Sequence, residues 1–163
     1  MSARHGTWQV HAVDGAGVRL RSGRIGLISV DVTAPVTDGV LHVGADDVRF
    51  TLTLALDRLK AGNFLMQGAA RSLVRRYDAT ALGYDGTGPA SVAPWLVCGT
   101  AAAGTIAVEL SLTITPVGVA DPMDEIELVG SAYVGTVHLP LPGLGKVEDF
   151  AFDVDARLAL SAR

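Results

Sequence analysis

Arg71, Arg75 and Arg76 stand close together on a stretch with helical spacing, and Arg58 and Lys60 lie just before it. Cations grouped in this way hold a phosphate or pyrophosphate, because each guanidinium fork bonds two oxygens at once. The same grouping also describes a solvated helix face. A second pair with chemical reach is Asp153 and Asp155. Paired carboxylates do acid–base work when a shared cavity pushes their pKa values apart. These two alternate with Phe152 and Val154, so a strand turns them to the wet side. Cys98 has no surrounding pattern of a catalytic thiol and reads as a buried bystander. His5, His11, His42 and His138 are not spaced as metal ligands on one element, and His11 and His42 fall on polar faces. Asp121, Asp124 and Glu125 lack the regular spacing of a calcium loop. No phosphate-binding loop, dinucleotide fingerprint or nucleophile elbow is present. No catalytic residue, metal site or cofactor is expected.

The elements that carry these residues are strands. In Gly104–Thr115, Ile106, Val108, Leu110, Leu112 and Ile114 fall on one side, and Ala107, Glu109, Ser111, Thr113 and Thr115 on the other. A period of two gives a strand with one apolar and one wet face. Val48–Leu56 repeats the pattern, with Phe50, Leu52 and Leu54 on the apolar side. Glu125–Val134 does so with small residues in its row, and Val147–Leu160 closes the chain with Phe150, Phe152, Val154, Leu158 and Leu160 in phase. Shorter strands are expected at Thr7–Val13 (Trp8 and Val10 inward), Val18–Arg21, Ile25–Val32 and Val40–Gly44. Turns are expected at residues 14–17 and 22–23, and a Gly/Pro loop at Gly86–Ser91. Leu65, Ala69, Leu73 and Tyr77 recur every four residues, which predicts one helix over Leu65–Arg76 with Asn63 as its cap. Pro94 makes Val92–Gly99 irregular and marks it as a sheet edge, where a second copy of the chain can pair.

All these apolar faces need one interior. We therefore expect an all-β fold: a single antiparallel barrel of about eight strands with one short helix, in one domain over residues 1–163. The 163 residues suffice for a real core, and 49% of them are hydrophobic. The mean hydropathy of +0.37 is high. No apolar run is long enough to span a bilayer, so the excess sits in alternating strands. A net charge of −4 argues against nucleic acid as a partner. One cysteine forms no intrachain disulfide, and the first residues lack the apolar core of a signal peptide, so a cytoplasmic location is expected.

The order of features resembles the YceI-like family of polyisoprenoid-binding, lipocalin-like proteins. Trp8 opens the first strand. Val48–Leu56 runs through Asp57-Arg58-Leu59-Lys60-Ala61-Gly62-Asn63 into a basic helix, and Leu82-Gly83-Tyr84 follows. The strand Gly104–Thr115 and the ending from Gly130-Ser131-Ala132 through Val137–Gly145 to Phe150–Leu160 complete the likeness. The chain departs from the family pattern at Asp14-Gly15-Ala16-Gly17 and at Ala34–Gly39.

The resemblance implies a lumen that holds an isoprenoid or other long-chain lipid, bound, carried or stored without catalysis. Burying a methylene is worth ~0.8 kcal/mol, so an apolar tunnel holds such a chain with few polar contacts. The wall residues expected from the alternation are Trp8, Val10, Phe50, Leu52, Leu54, Ile106, Val108, Leu110, Leu128, Phe150 and Phe152. Arg71 and Arg75 are the candidates for contacts to a head group. Alternation alone leaves two other readings open. One is a filled barrel that serves as a protein-interaction module. The other is an isomerase or cyclase acting on a hydrophobic substrate, which needs a polar group on an inward row.

Overall fold

A strand with one apolar side must bury that side, and here nearly every strand has one. A computed structural model shows how the chain does so; it describes residues 5–13, 16–25, 28–62, 64–118, 123–141 and 144–162. The described residues form β1 (Gly6–Ala12), β2 (Val18–Ile25), β3 (Ile28–Ala34), β4 (Val36–Val43), β5 (Asp47–Ala55), β6 (Lys60–Ala61), helix α1 (Phe64–Arg76), β7 (Ala81–Pro89), β8 (Trp95–Ala103), β9 (Ile106–Pro116), β10 (Glu125–Leu141) and β11 (Leu144–Ala162). They make one sheet. β11 returns to β1, with Ala162 opposite Trp8 and Leu158 opposite Ala12, and the ring closes.

Several of these strands are pieces of longer paths. β11 pairs with β1 near its end and with β2 at Phe152–Asp155, so β1 and β2 follow one another along the same neighbour. β3 and β4 are likewise successive, parted by Pro35, which has no N–H to give to a ladder. A 3₁₀ turn at Leu56–Arg58 separates β5 from β6. Counted by path, the wall is the expected closed antiparallel barrel of eight strands with one short helix.

The punctuation differs from expectation in three places. Ser22-Gly23 does not turn the chain. β2 runs on to Ile25 and absorbs the irregularity as a register shift between Arg21 and Arg24. Gly86–Pro89 is strand, not loop: Gly86 pairs with Phe50 on one side and Gly99 on the other. A Cβ on Gly99 would run into the Asp85 carbonyl, so close backbone approach, not turning, is why glycine stands there. β8 is not an edge, because β7 and β9 flank it. Cys98 and Gly99 have ladder partners on both sides, and Trp95–Val97 pair with β9. Asn63, Asp14-Gly15 and Asp121 lie outside the described residues, as do the side chains of Leu65, Ala69, Leu73 and His138.

The inward rows meet as expected. Leu41, Phe50, Leu112, Ile126, Leu128 and Leu158 are among the fully buried side chains. Each such residue contributes roughly 1.5–3 kcal/mol on leaving water. This dense packing occupies only one half of the barrel.

Candidate ligand chamber

Every long strand divides at the same level. On β9, Leu110, Leu112 and Ile114 are buried in the core, whereas Ile106 and Val108 line an open space. On β8, Trp95 and Val97 are core and Ala101 and Ala103 face the space. On β11, Val154 and Leu158 are core and Phe150 and Phe152 face it. β7 divides between Tyr84 and Leu82, and β5 between Leu54 and Leu56 just beyond its end. The open half is a chamber of about 210 Å³, partly open to solvent. Its wall is apolar apart from Arg21, Ser22 and Tyr77.

Helix α1 is the roof. Ala70, Val74 and Tyr77 lie at i, i+4 and i+7, so they share one face, and all three line the chamber. Arg71 and Arg75 are each one position further on and are exposed. They stand on the outside of the roof and are not part of the chamber wall. The helix is tied at its start by Gln67. Its side chain accepts from the Ala61 N–H at 2.8 Å and donates to the Leu59 carbonyl at 2.6 Å. At the other end the Ala79 N–H donates to the Val74 carbonyl at 2.9 Å, and the Thr105 N–H reaches Tyr77 from the β8–β9 turn at 3.2 Å.

Tyr84 is the floor. It pairs with Ala101 on β8, and its hydroxyl donates to the Leu110 carbonyl on β9 at 2.9 Å. The side chain therefore passes under the whole width of β8. Gly86 makes this course open, since a Cβ there would meet the Tyr84 hydroxyl. Below, the ring packs against Phe50 with centroids 6.2 Å apart. Burial raises the phenol from its ordinary 10.0 to about 12, so it stays a neutral donor.

The expected wall residues separate into two groups. Ile106, Val108, Phe150 and Phe152 line the chamber. Trp8, Val10, Phe50, Leu52, Leu54, Leu110 and Leu128 belong to the filled half and do not line it. Alternation identifies an inward face but not whether anything opposes it. The roof residues were missed because Ala70 and Val74 lie one position from the row that the spacing favoured. Leu20, Val32 and Leu59 also line the chamber and were not singled out. Leu20 and Val32 were legible as inward positions.

The residues with chemical reach stand elsewhere. Asp153 is exposed, and Asp155 accepts from Arg21 at 2.9 Å on the outer face. Arg19 and Asp31 form a two-pronged pair beside them, which lowers the Asp31 pKa through the Arg19 hydrogen bond. Cys98 is exposed, not buried: it is in the outward phase of β8, where the Ser111 hydroxyl lies 3.4 Å away. His11 contacts Ser161 and His42 contacts Thr7, both at exposed positions. Among the described residues no three His, Cys, Asp or Glu side chains are grouped to hold a metal ion, and no helix is long and apolar enough to cross a membrane.

No protein-family model matches this sequence, and no curated protein does. Among solved structures, a polyisoprenoid binding domain from Saccharophagus degradans implicated in plant cell wall breakdown is similar. It is 10% identical, the match covers 98% of this chain and 100% of that one, and the TM-score is 0.54. The barrel with its single helix is thus the fold of that polyisoprenoid binding domain, as the sequence resemblance led one to expect.

Proposed function

We propose that this chain binds, carries or stores an isoprenoid or similar lipid, with the apolar chain held in the chamber under α1 and without catalysis. The observation that carries this reading is the chamber itself, a space of about 210 Å³ with almost wholly apolar walls. An apolar cavity of roughly 150 Å³ is dry and takes up benzene, so a larger one with an opening is a site for a hydrocarbon chain. The likeness to a polyisoprenoid binding domain supports the same ligand class. Against an isomerase or cyclase stands the chemistry of the wall. Arg21, the charged residue that borders the chamber among those described, turns its guanidinium to Asp155 on the outer face. In this reading Arg71 and Arg75, which are exposed on α1, meet a polar head group that remains in water.

The test is uptake of farnesol by the purified chain, read by native mass spectrometry. A one-to-one adduct is expected. Val108→Trp fills the chamber from β9 and should abolish the adduct while the barrel still folds. A wild-type chain that carries no co-purifying lipid and takes up no farnesol would overturn the reading and leave a barrel that works through its outer surface.

A further inference from the structure

We infer that Tyr84 sets the length of apolar chain this protein accepts, so that only about the first two isoprene units of a ligand are enclosed. The inference rests on the lipid-binding reading above and goes beyond it, because it assigns a limit and the residue that imposes it.

The barrel's long axis suggests a tunnel, but the structure interrupts it. Leu82, two residues before Tyr84 on the same strand, lines the chamber. Ala101, the register partner of Tyr84, also lines it. Tyr84 itself does not. It lies in the next layer, running from β7 beneath β8 to the Leu110 carbonyl. Two strand spacings are roughly 9.5 Å, which the tyrosine side chain covers together with its hydrogen bond to the Leu110 carbonyl. Nothing flexible remains in this crossbar. The hydroxyl is anchored at 2.9 Å, the ring rests on Phe50, and only 3% of the residue is exposed. Below it Leu52, Leu112 and Leu128 fill the lumen.

The volume agrees with such a stop. If about 150 Å³ suits the six carbons of benzene, then 210 Å³ suits about eight. That lies between one isoprene unit and two. It also falls short of the roughly 300 Å³ at which pockets for whole drug-sized ligands begin. A longer polyisoprenoid leaves its remaining units outside the chamber, where they gain nothing from burial.

The experiment is a series of prenyl alcohols with one, two, three and four isoprene units, titrated against the wild-type chain and variants. Each buried methylene is worth about fourfold in affinity. Wild type should gain steeply from one unit to two and then stay level within about threefold. Tyr84→Ala opens the space toward Phe50 and should move the plateau to three units, with at least a tenfold gain over two. Tyr84→Phe keeps the ring and should leave the plateau where it is. Ala101→Leu, which adds bulk on the chamber side of the floor, should reduce binding of two units to that of one. If Tyr84→Ala does not fold, Tyr84→Leu, which keeps apolar bulk but loses the reach to Leu110, takes its place with the same shift of the plateau expected.

Affinity that keeps climbing through four units in wild type overturns the length limit and leaves lipid binding standing. A Tyr84→Ala series that keeps its plateau at two units overturns the assignment to Tyr84 and likewise leaves lipid binding standing. Failure of every alcohol to bind wild type overturns lipid binding itself, and the length limit with it.

Discussion

Tyr84 shows how a single side chain can be tested apart from any ligand. Its phenol is held at about 12 chiefly by burial, against an ordinary 10.0. The folded state therefore keeps a proton that the unfolded chain releases, and stability must fall as pH rises from 10 toward 12. The slope from this one group approaches about 1.4 kcal/mol per pH unit within that window. Below pH 10 both states are protonated and the group adds no pH dependence. The check is a difference: urea unfolding of wild type and Tyr84→Phe at pH 8 through 11.5. Tyr84→Phe should cost about 1 kcal/mol at pH 8 through the lost bond to Leu110, and the gap should narrow as pH rises. A constant gap would mean that the phenol is not buried in the folded chain. This residue was half legible. Its inward phase follows from Leu82-Gly83-Tyr84, but the loop expected at Gly86–Ser91 hid the strand that continues past it. A glycine in such a stretch suggests a turn, whereas Gly86 leaves room for an aromatic ring.

At the level of elements, the strands were legible because a barrel has only two faces and period two reports them directly. The boundaries of β5, β9 and β11 lie within three residues of those expected. The helix was legible in extent, Leu65–Arg76 against Phe64–Arg76, but not in its use as a roof. That depends on a side chain with no helical periodicity, Gln67. Its amide both accepts from Ala61 and donates to Leu59, replacing the ladder partner that the short strand β6 lacks on that side. Gln67→Ala removes both bonds, at about 1 kcal/mol each. Because α1 packs over an unfilled space, the loss should appear as local opening and not as global unfolding. Amide exchange in α1 should speed up by about thirtyfold, with β8 and β9 unchanged, and dissociation of a bound prenyl alcohol should speed up with it. Equal acceleration in the strands would show that the roof and barrel open together.

Across the whole molecule, the two halves of the barrel divide stability from binding. The lower half contains Trp8, Phe50, Trp95, Leu112, Leu128 and Leu158 in close contact. The upper half leaves a chamber of about 210 Å³, in which the wall side chains lack partners on one side. A side chain facing a void has already forfeited part of its dispersion energy. The same substitution should therefore cost different amounts at the two levels. Leu112→Ala removes a 2%-exposed residue from the filled half and should cost about 2–5 kcal/mol. Leu82→Ala removes the same atoms from the chamber wall, where the new space adds to one that exists, and should cost less than about half as much. Ligand should then separate them further. A molecule that binds only the folded state adds about 2.7 kcal/mol at one hundred times its Kd, and an enlarged chamber has more apolar wall to offer it. With geraniol at saturation, Leu82→Ala should recover most of its lost stability and Leu112→Ala should keep its deficit. Urea unfolding of the two variants with and without geraniol measures this. Equal costs in the absence of ligand would mean that the upper half is as densely packed as the lower and that the chamber is closed in solution.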